Sequence, residues 1–169
     1  MNPNLQFDFQ IDKKTNTVHV KREFAADLNL TWDAWTKPEI LDQWWAPKPY
    51  KAVTKSMDFK EGGTWLYYME SPEGHKHWCK NDYQTIHPKQ SYRALDAFCD
   101  ENGVTLDAMP RTLWTNTFTE QGSDKTMVSI VAKYDSLADL EKEIEMGFKE
   151  GFTMALGNLD EVLEKLTQA

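Results

Sequence analysis

The sequence predicts an α+β fold, and three observations carry that prediction. From Lys51 to Tyr134 the chain falls into short apolar runs separated by turn signals, with no helical period between them. Before this stretch, short patterns at helical spacing follow a two-strand pattern. After it, Ser136 to Leu166 reads as one long amphipathic helix. Strands joined by short links form an antiparallel meander, and a sheet of about six or seven such strands must bury one face. The final helix is the natural cover.

Residues 5 to 24 alternate through Leu5, Phe7, Phe9 and Ile11 and then Val18 and Val20, around the polar turn Asp12-Lys13-Lys14-Thr15-Asn16, which predicts a β-hairpin. From Asp27 the period changes, with Leu28, Trp32 and Trp35 on one helical face. Thr36, Pro38 and Glu39 open a second short helix carrying Ile40, Leu41, Trp44 and Trp45, and Ala46-Pro47-Lys48-Pro49 stops it. Strands follow at Val53 to Phe59, Thr64 to Glu70, His77 to Ile86, Ser91 to Cys99, Leu113 to Thr119 and Thr126 to Tyr134; residues 103–112 read as an irregular connection.

The last helix starts at a capping box of Ser136 and Asp139. Leu137, Leu140, Ile144, Phe148, Gly151, Phe152, Ala155, Leu159, Val162, Leu163 and Leu166 form its apolar stripe, and Glu141, Lys142, Glu145, Lys149, Glu150, Asp160, Glu161 and Lys165 its polar face. As one helix it would run roughly 45 Å. Gly147, Gly151 and Gly157 each cost about 1 kcal/mol there relative to alanine. Close backbone packing and room for a ligand both account for them.

Strand alternation directs Trp65, Tyr67 and Met69, then Trp114, Asn116 and Phe118, then Val128, Ile130 and Ala132 toward the helix. A bent sheet wrapped on one helix leaves an interior gap, and apolar gaps with a few polar groups bind small ligands. The candidate cavity set is Trp35, Trp44, Trp45, Trp65, Tyr67, Met69, Trp114, Asn116, Phe118, Val128, Ile130, Phe148, Gly151 and Phe152. Asn116 is the polar member placed among aromatics; it is either satisfied within the core or orients a ligand. The Trp44-Trp45 pair either plugs the open end of the sheet or lends one indole to the cavity mouth.

Composition narrows the function classes. With 169 residues, 40% hydrophobic content and no long apolar run, the chain suits a single globular domain over 1–169. A net charge of −8 without a block of Lys and Arg speaks against nucleic acid and anionic membranes as partners. The first twelve residues carry no signal-peptide pattern, and no membrane span is expected. Cys79 and Cys99 are too few for a disulfide framework and suit a cytoplasmic setting, although one bridge between them is compatible with the sequence. Seven Trp within a 12% aromatic content supply either a wide core or an apolar pocket lining.

Catalytic motifs are not evident: the chain has no P-loop, GxGxxG, HExxH or GxSxG pattern. His75, His77 and Cys79 alternate and would share a strand face, but no fourth zinc ligand accompanies them, so neither metal nor cofactor is expected. Nothing near Cys99 in sequence supplies a base for a nucleophile. Arg93 and Asp96 fall on opposite faces of one strand, so only one can be internal, and an inward acid would reopen the case for an enzyme.

The run Trp32-Asp33-Ala34-Trp35-Thr36-Lys37-Pro38-Glu39-Ile40-Leu41-Asp42-Gln43-Trp44-Trp45-Ala46-Pro47 resembles the early signature of single-domain homologues of the C-terminal part of the activator of the heat-shock protein 90 ATPase, within the START-like (SRPBCC) superfamily. Asp58 ahead of Glu61-Gly62-Gly63-Thr64-Trp65, then Ile86-His87-Pro88, continue the match, which spans about residues 17 to 166. The resemblance implies a helix-grip fold, a curved antiparallel sheet around the C-terminal helix with two short helices closing one end of a deep cavity. Members of the superfamily bind lipids, sterols, polyketides and other apolar molecules, and some are cyclases or dehydratases. A small apolar or amphipathic ligand, bound without catalysis, is therefore the leading expectation. A chaperone-associated interaction and a cyclase- or hydrolase-like enzyme are the alternatives, and a homodimer is compatible with either. This chain departs from the family in having Asp27 where a proline is usual, and residues 1–16 look like an added strand.

Overall fold

The computed structural model describes residues 5–168. The elements run β1 (Phe7–Asp12), β2 (Thr17–Phe24), α1 (Leu28–Thr36), α2 (Pro38–Trp44), β3 (Lys51–Met57), β4 (Thr64–Glu70), β5 (Lys76–His87), β6 (Ser91–Phe98), β7 (Thr112–Glu120), β8 (Thr126–Tyr134), α3 (Leu137–Glu145) and α4 (Phe148–Gln168). The strands form one antiparallel sheet of eight in the order β1-β2-β8-β7-β6-β5-β4-β3. This exceeds the expected six or seven because both arms of the hairpin join the sheet, with β2 paired to β8 at Val20 opposite Ile130. Register shifts at Thr54/Ser56 and Tyr83/Thr85 mark bulges, which bend a sheet.

Local chemistry sets the helix starts. Asp27, standing where the family has proline, caps α1 by accepting from the Leu30 N–H at 2.8 Å. Pro38 opens α2 at a position where no N–H is needed. In the β3–β4 turn Gly62 has φ +85, and a Cβ on Gly63 would lie 2.0 Å from the Asp58 carbonyl oxygen, so neither glycine of the pair is replaceable without strain.

The C-terminal segment is two helices, not the single helix expected from Ser136 to Leu166. Gly147 takes φ +88 and ends α3, with its N–H donating to the Ile144 carbonyl at 3.0 Å, and α4 begins afresh at Phe148. The apolar period continues across the break, which is why the sequence reads as continuous. With 21 residues, α4 is roughly 30 Å long.

The concave sheet face and the helices share one hydrophobic cluster, in which Val18, Val20, Val128, Ile130, Leu156 and Leu159 are buried. Asn158 ties α4 to the end of α2 by donating to the Ala46 carbonyl at 3.1 Å. Asp160 does not stand on a purely solvated face: it pairs with Arg22 of β2, whose side chain is fully buried and lies over the Phe24 ring at 4.9 Å. Gly151 and Gly157 do not mark close packing on the sheet. A Cβ at Gly151 would touch only Pro47 Cγ, at 3.7 Å, and one at Gly157 would meet nothing within 4 Å. Among the described residues no helix is long and apolar enough to cross a membrane.

Candidate functional site

Beneath the elbow between α3 and α4 lies a cavity of about 250 Å³, bounded by β4 to β8 and the end of α2. Its apolar walls are aromatic. Trp45, Trp114, Phe148 and Phe152 surround it, with Trp114 and Phe152 ring centroids 5.5 Å apart and Phe148 stacked on Phe152 at 5.5 Å. Met69 and Met146 add flexible thioethers, and Gly147 and Gly151 leave open backbone on the helical side.

Polar groups converge on the sheet side and on α3. Asp96 alternates in β6 with Tyr92 and Ala94, so its carboxylate enters the cavity, while Arg93 is exposed. Trp114 Nε1 donates to Asp96 Oδ2 at 2.7 Å, and the Thr112 N–H donates to Oδ1 at 2.8 Å. Burial pushes this carboxyl up to about 6 against the lowering effect of those two donors. Glu143 projects into the same cavity from α3; burial, reinforced by the charge of Asp96, pushes it up to about 7. Among the described residues the Glu143 carboxyl makes no hydrogen bond or ion pair.

Tyr67, Cys79, Thr112 and Tyr134 complete the polar lining. Trp45 Nε1 donates to Tyr67 Oη at 2.9 Å. Burial holds both tyrosine hydroxyls protonated and pushes the Cys79 thiol up to about 12, which opposes a nucleophilic role. Among the described residues no Lys, Arg or His lines the cavity. The site can therefore offer aromatic faces, hydroxyl donors and negative charge, but no fixed positive charge.

The expected cavity residues divide into three groups. Trp45, Tyr67, Met69, Trp114, Phe148, Gly151 and Phe152 line the cavity. Trp35, Trp65 and Asn116 border a separate void of about 10 Å³, and Trp44, Phe118, Val128 and Ile130 are buried core residues lining neither space. The Trp pair thus splits its roles: Trp44 plugs, donating to the Ala34 carbonyl at 2.9 Å, and Trp45 faces the cavity. Asn116 is tied into the core by donating to Tyr92 Oη at 3.0 Å, and its Oδ1, like Trp35 Nε1, has no partner beside that small void.

Cys79 and Cys99 are free thiols, with no bridge between them. His75 and His77 are exposed while Cys79 is buried, and the described residues contain no His, Cys, Asp or Glu group able to hold a metal ion. Glu143, Thr112 and Tyr134 were not among the expected site residues. A signal for Glu143 was present, since it sits three residues after Leu140 and four before Gly147, on the inner stripe.

Comparison with known proteins agrees with this architecture. A solution structure of a protein from Arthrobacter aurescens is 28% identical, with 94% of this chain and 91% of that chain covered at a TM-score of 0.88. The crystal structure of Ms6760 from Mycobacterium smegmatis is also 28% identical, covering 94% of this chain and 96% of its own at 0.84. A solution structure from Staphylococcus epidermidis follows at 26% identity, 92% and 94% coverage, and 0.80. The comparison with curated proteins produced no match. The family described as "Activator of Hsp90 ATPase homolog 1-like protein" matches residues 25–164, and the chain belongs to that family, with the helix-grip fold of its START-like relatives.

Proposed function

We propose that this protein binds one small amphipathic molecule in the cavity under the α3–α4 elbow. The observation that carries the reading is the cavity itself, whose aromatic walls enclose a few convergent polar groups. Trp45, Tyr67, Met69, Trp114, Phe148, Gly151 and Phe152 form its ligand-facing surface. The free, buried thiols of Cys79 and Cys99 support a reducing, cytoplasmic setting. Native mass spectrometry of gently purified protein, joined to a thermal-shift screen of lipids and aromatic compounds, tests the proposal. A bound small molecule, or a compound that raises Tm in wild type but not in Gly151→Leu, is the expected result; a screen in which no compound shifts Tm overturns it.

A cyclase- or hydrolase-like activity in the same cavity is a second reading, favoured by the convergence of Asp96 and Glu143 on one space with carboxyls poised near neutrality. Turnover of a bound compound, lost in Glu143→Gln while binding persists, would establish it. The family match favours a chaperone-associated role as a third reading. Capture of a heat-shock protein 90 homologue followed by an ATPase assay tests that one.

A further inference from the structure

The cavity's charge pattern narrows the ligand class, an inference that rests on the binding reading above. We propose that the cavity selects a monocationic amine carried on a compact apolar or aromatic body. Two carboxyl groups, from Asp96 on β6 and Glu143 on α3, enter an otherwise apolar space, and no basic side chain lines it. An ionised carboxyl in such a space needs a compensating charge. Asp96 has only partial compensation: the Trp114 indole and the Thr112 N–H each occupy one oxygen, and the nearby charge of Arg111 favours the ionised form from outside the cavity, while its hydrogen bonds go to the Asp96 backbone carbonyl at 3.0 Å and to Asp82 at 2.8 Å. Glu143 has no direct partner among the described residues.

The surrounding walls suit the same ligand. Indole and phenyl faces attract a cation through their quadrupoles, most strongly for Trp, and here Trp45 and Trp114 line the same cavity as the carboxyls while Phe148 and Phe152 offer apolar surface for the ligand body. Carboxylate together with an aromatic enclosure discriminates against an anion and gives a neutral isostere only the apolar part of the interaction.

Groups facing Glu143 come from every packed element: Asp96 of β6, Tyr134 of β8 and Cys79 of β5, with Lys142 and Asp139 on its own helix. Tyr67 of β4 faces Asp96 and Cys79. Both tyrosines and the thiol stay neutral, so the acids alone change charge in the ordinary pH range. Binding of an ammonium should therefore strengthen from pH 5.5 to 7.5 as the acids ionise, and should expel a proton near pH 6.5.

The test compares 4-phenylbutylamine, 4-phenylbutanol and 4-phenylbutyrate by isothermal titration calorimetry on the full chain. The amine is expected to bind at least about tenfold more tightly than the alcohol at pH 7.5. Its affinity should fall at pH 5.5, and Glu143→Gln should remove most of the amine's advantage over the alcohol. Equal binding of alcohol and amine overturns the cation proposal and leaves the cavity reading standing. Tighter binding of the acid, or amine affinity that does not change with pH in wild type, also overturns it. Failure of all three compounds to bind overturns both readings.

Discussion

Trp45 Nε1 donates to Tyr67 Oη at 2.9 Å, fastening the end of α2 to β4 across the wall of the cavity. Its neighbour Trp44 lies with its indole in the core, 1% exposed. A ligand in the cavity should therefore alter the emission of Trp45 and leave Trp44 unaffected. In Trp45→Phe the ligand-induced change in fluorescence should shrink to the part that comes from Trp114, the other indole in the cavity wall. In Trp44→Phe it should persist, in a protein destabilised by about 1–3 kcal/mol through lost volume and a lost hydrogen bond. An unaltered fluorescence response in Trp45→Phe would contradict this assignment.

Gly151 opens onto the cavity, with Pro47 Cγ as its only near neighbour. Gly151→Leu should project its side chain into the cavity, abolish ligand-dependent stabilisation and preserve the fold, as read by circular dichroism and thermal shift. An unfolded variant would show that the site cannot accept added volume.

The other two helical glycines should respond with opposite signs. Gly157 has ordinary helical backbone and open space around it, so Gly157→Ala should stabilise by about 1 kcal/mol. Gly147 sits at φ +88, where a side chain is strained, so Gly147→Ala should destabilise by about 1–2 kcal/mol. Urea denaturation of the two variants measures both.

Glu143 makes stability depend on pH. Its carboxyl is raised from 4.5 to about 7 in the folded chain, so its neutral form is favoured by folding. The associated stability is fully present below pH 4.5 and is lost as pH rises through 7; Asp96, raised from 3.8 to about 6, acts in the same direction over a lower range. Glu143→Gln should match wild type near pH 4.5 and exceed it at pH 8 by about 1–2 kcal/mol, a value discounted for partial exposure, or about 2–8 °C in Tm. A constant difference in Tm across that range would refute the linkage.

Asp160 neutralises the fully buried Arg22. Removing one partner strands the other charge, so Asp160→Ala should cost about 3–5 kcal/mol, and Arg22→Met combined with Asp160→Leu should recover most of it. Denaturation of the single and double variants decides the point.

Much of the sheet is legible in the sequence because turn residues punctuate it and both bulges fall outside the strands β4, β7 and β8, where Trp65, Tyr67, Trp114, Asn116, Val128 and Ile130 all point inward as alternation requires. The elbow at Gly147 is not legible in the same way, since a helix that breaks and restarts in phase keeps its apolar period. Within the inward set, periodicity cannot separate cavity wall from solid core. Val128 and Ile130 meet packed side chains, whereas Tyr67 and Trp114 meet empty space, and that difference depends on where α3 ends and α4 begins. The acids were only partly legible: alternation leaves Asp96 and Arg93 as alternatives for the inward position, and Glu143 stands at helical spacing from Leu140 and Gly147 without any sign in the sequence that a cavity lies beside it.

The pairing of β2 with β8 has a kinetic consequence. β3 to β7 can zip up successively as a local meander, but the N-terminal hairpin joins it only through β8, with Val20 opposite Ile130. A chain emerging from the ribosome therefore carries a hairpin without a neighbour until residues 126–134 have followed it, and a two-stranded hairpin alone is marginal in water. Until β8 arrives and α4 seats, the edges of β2 and β7 and the concave apolar face are all exposed, which makes the interval before closure prone to aggregation.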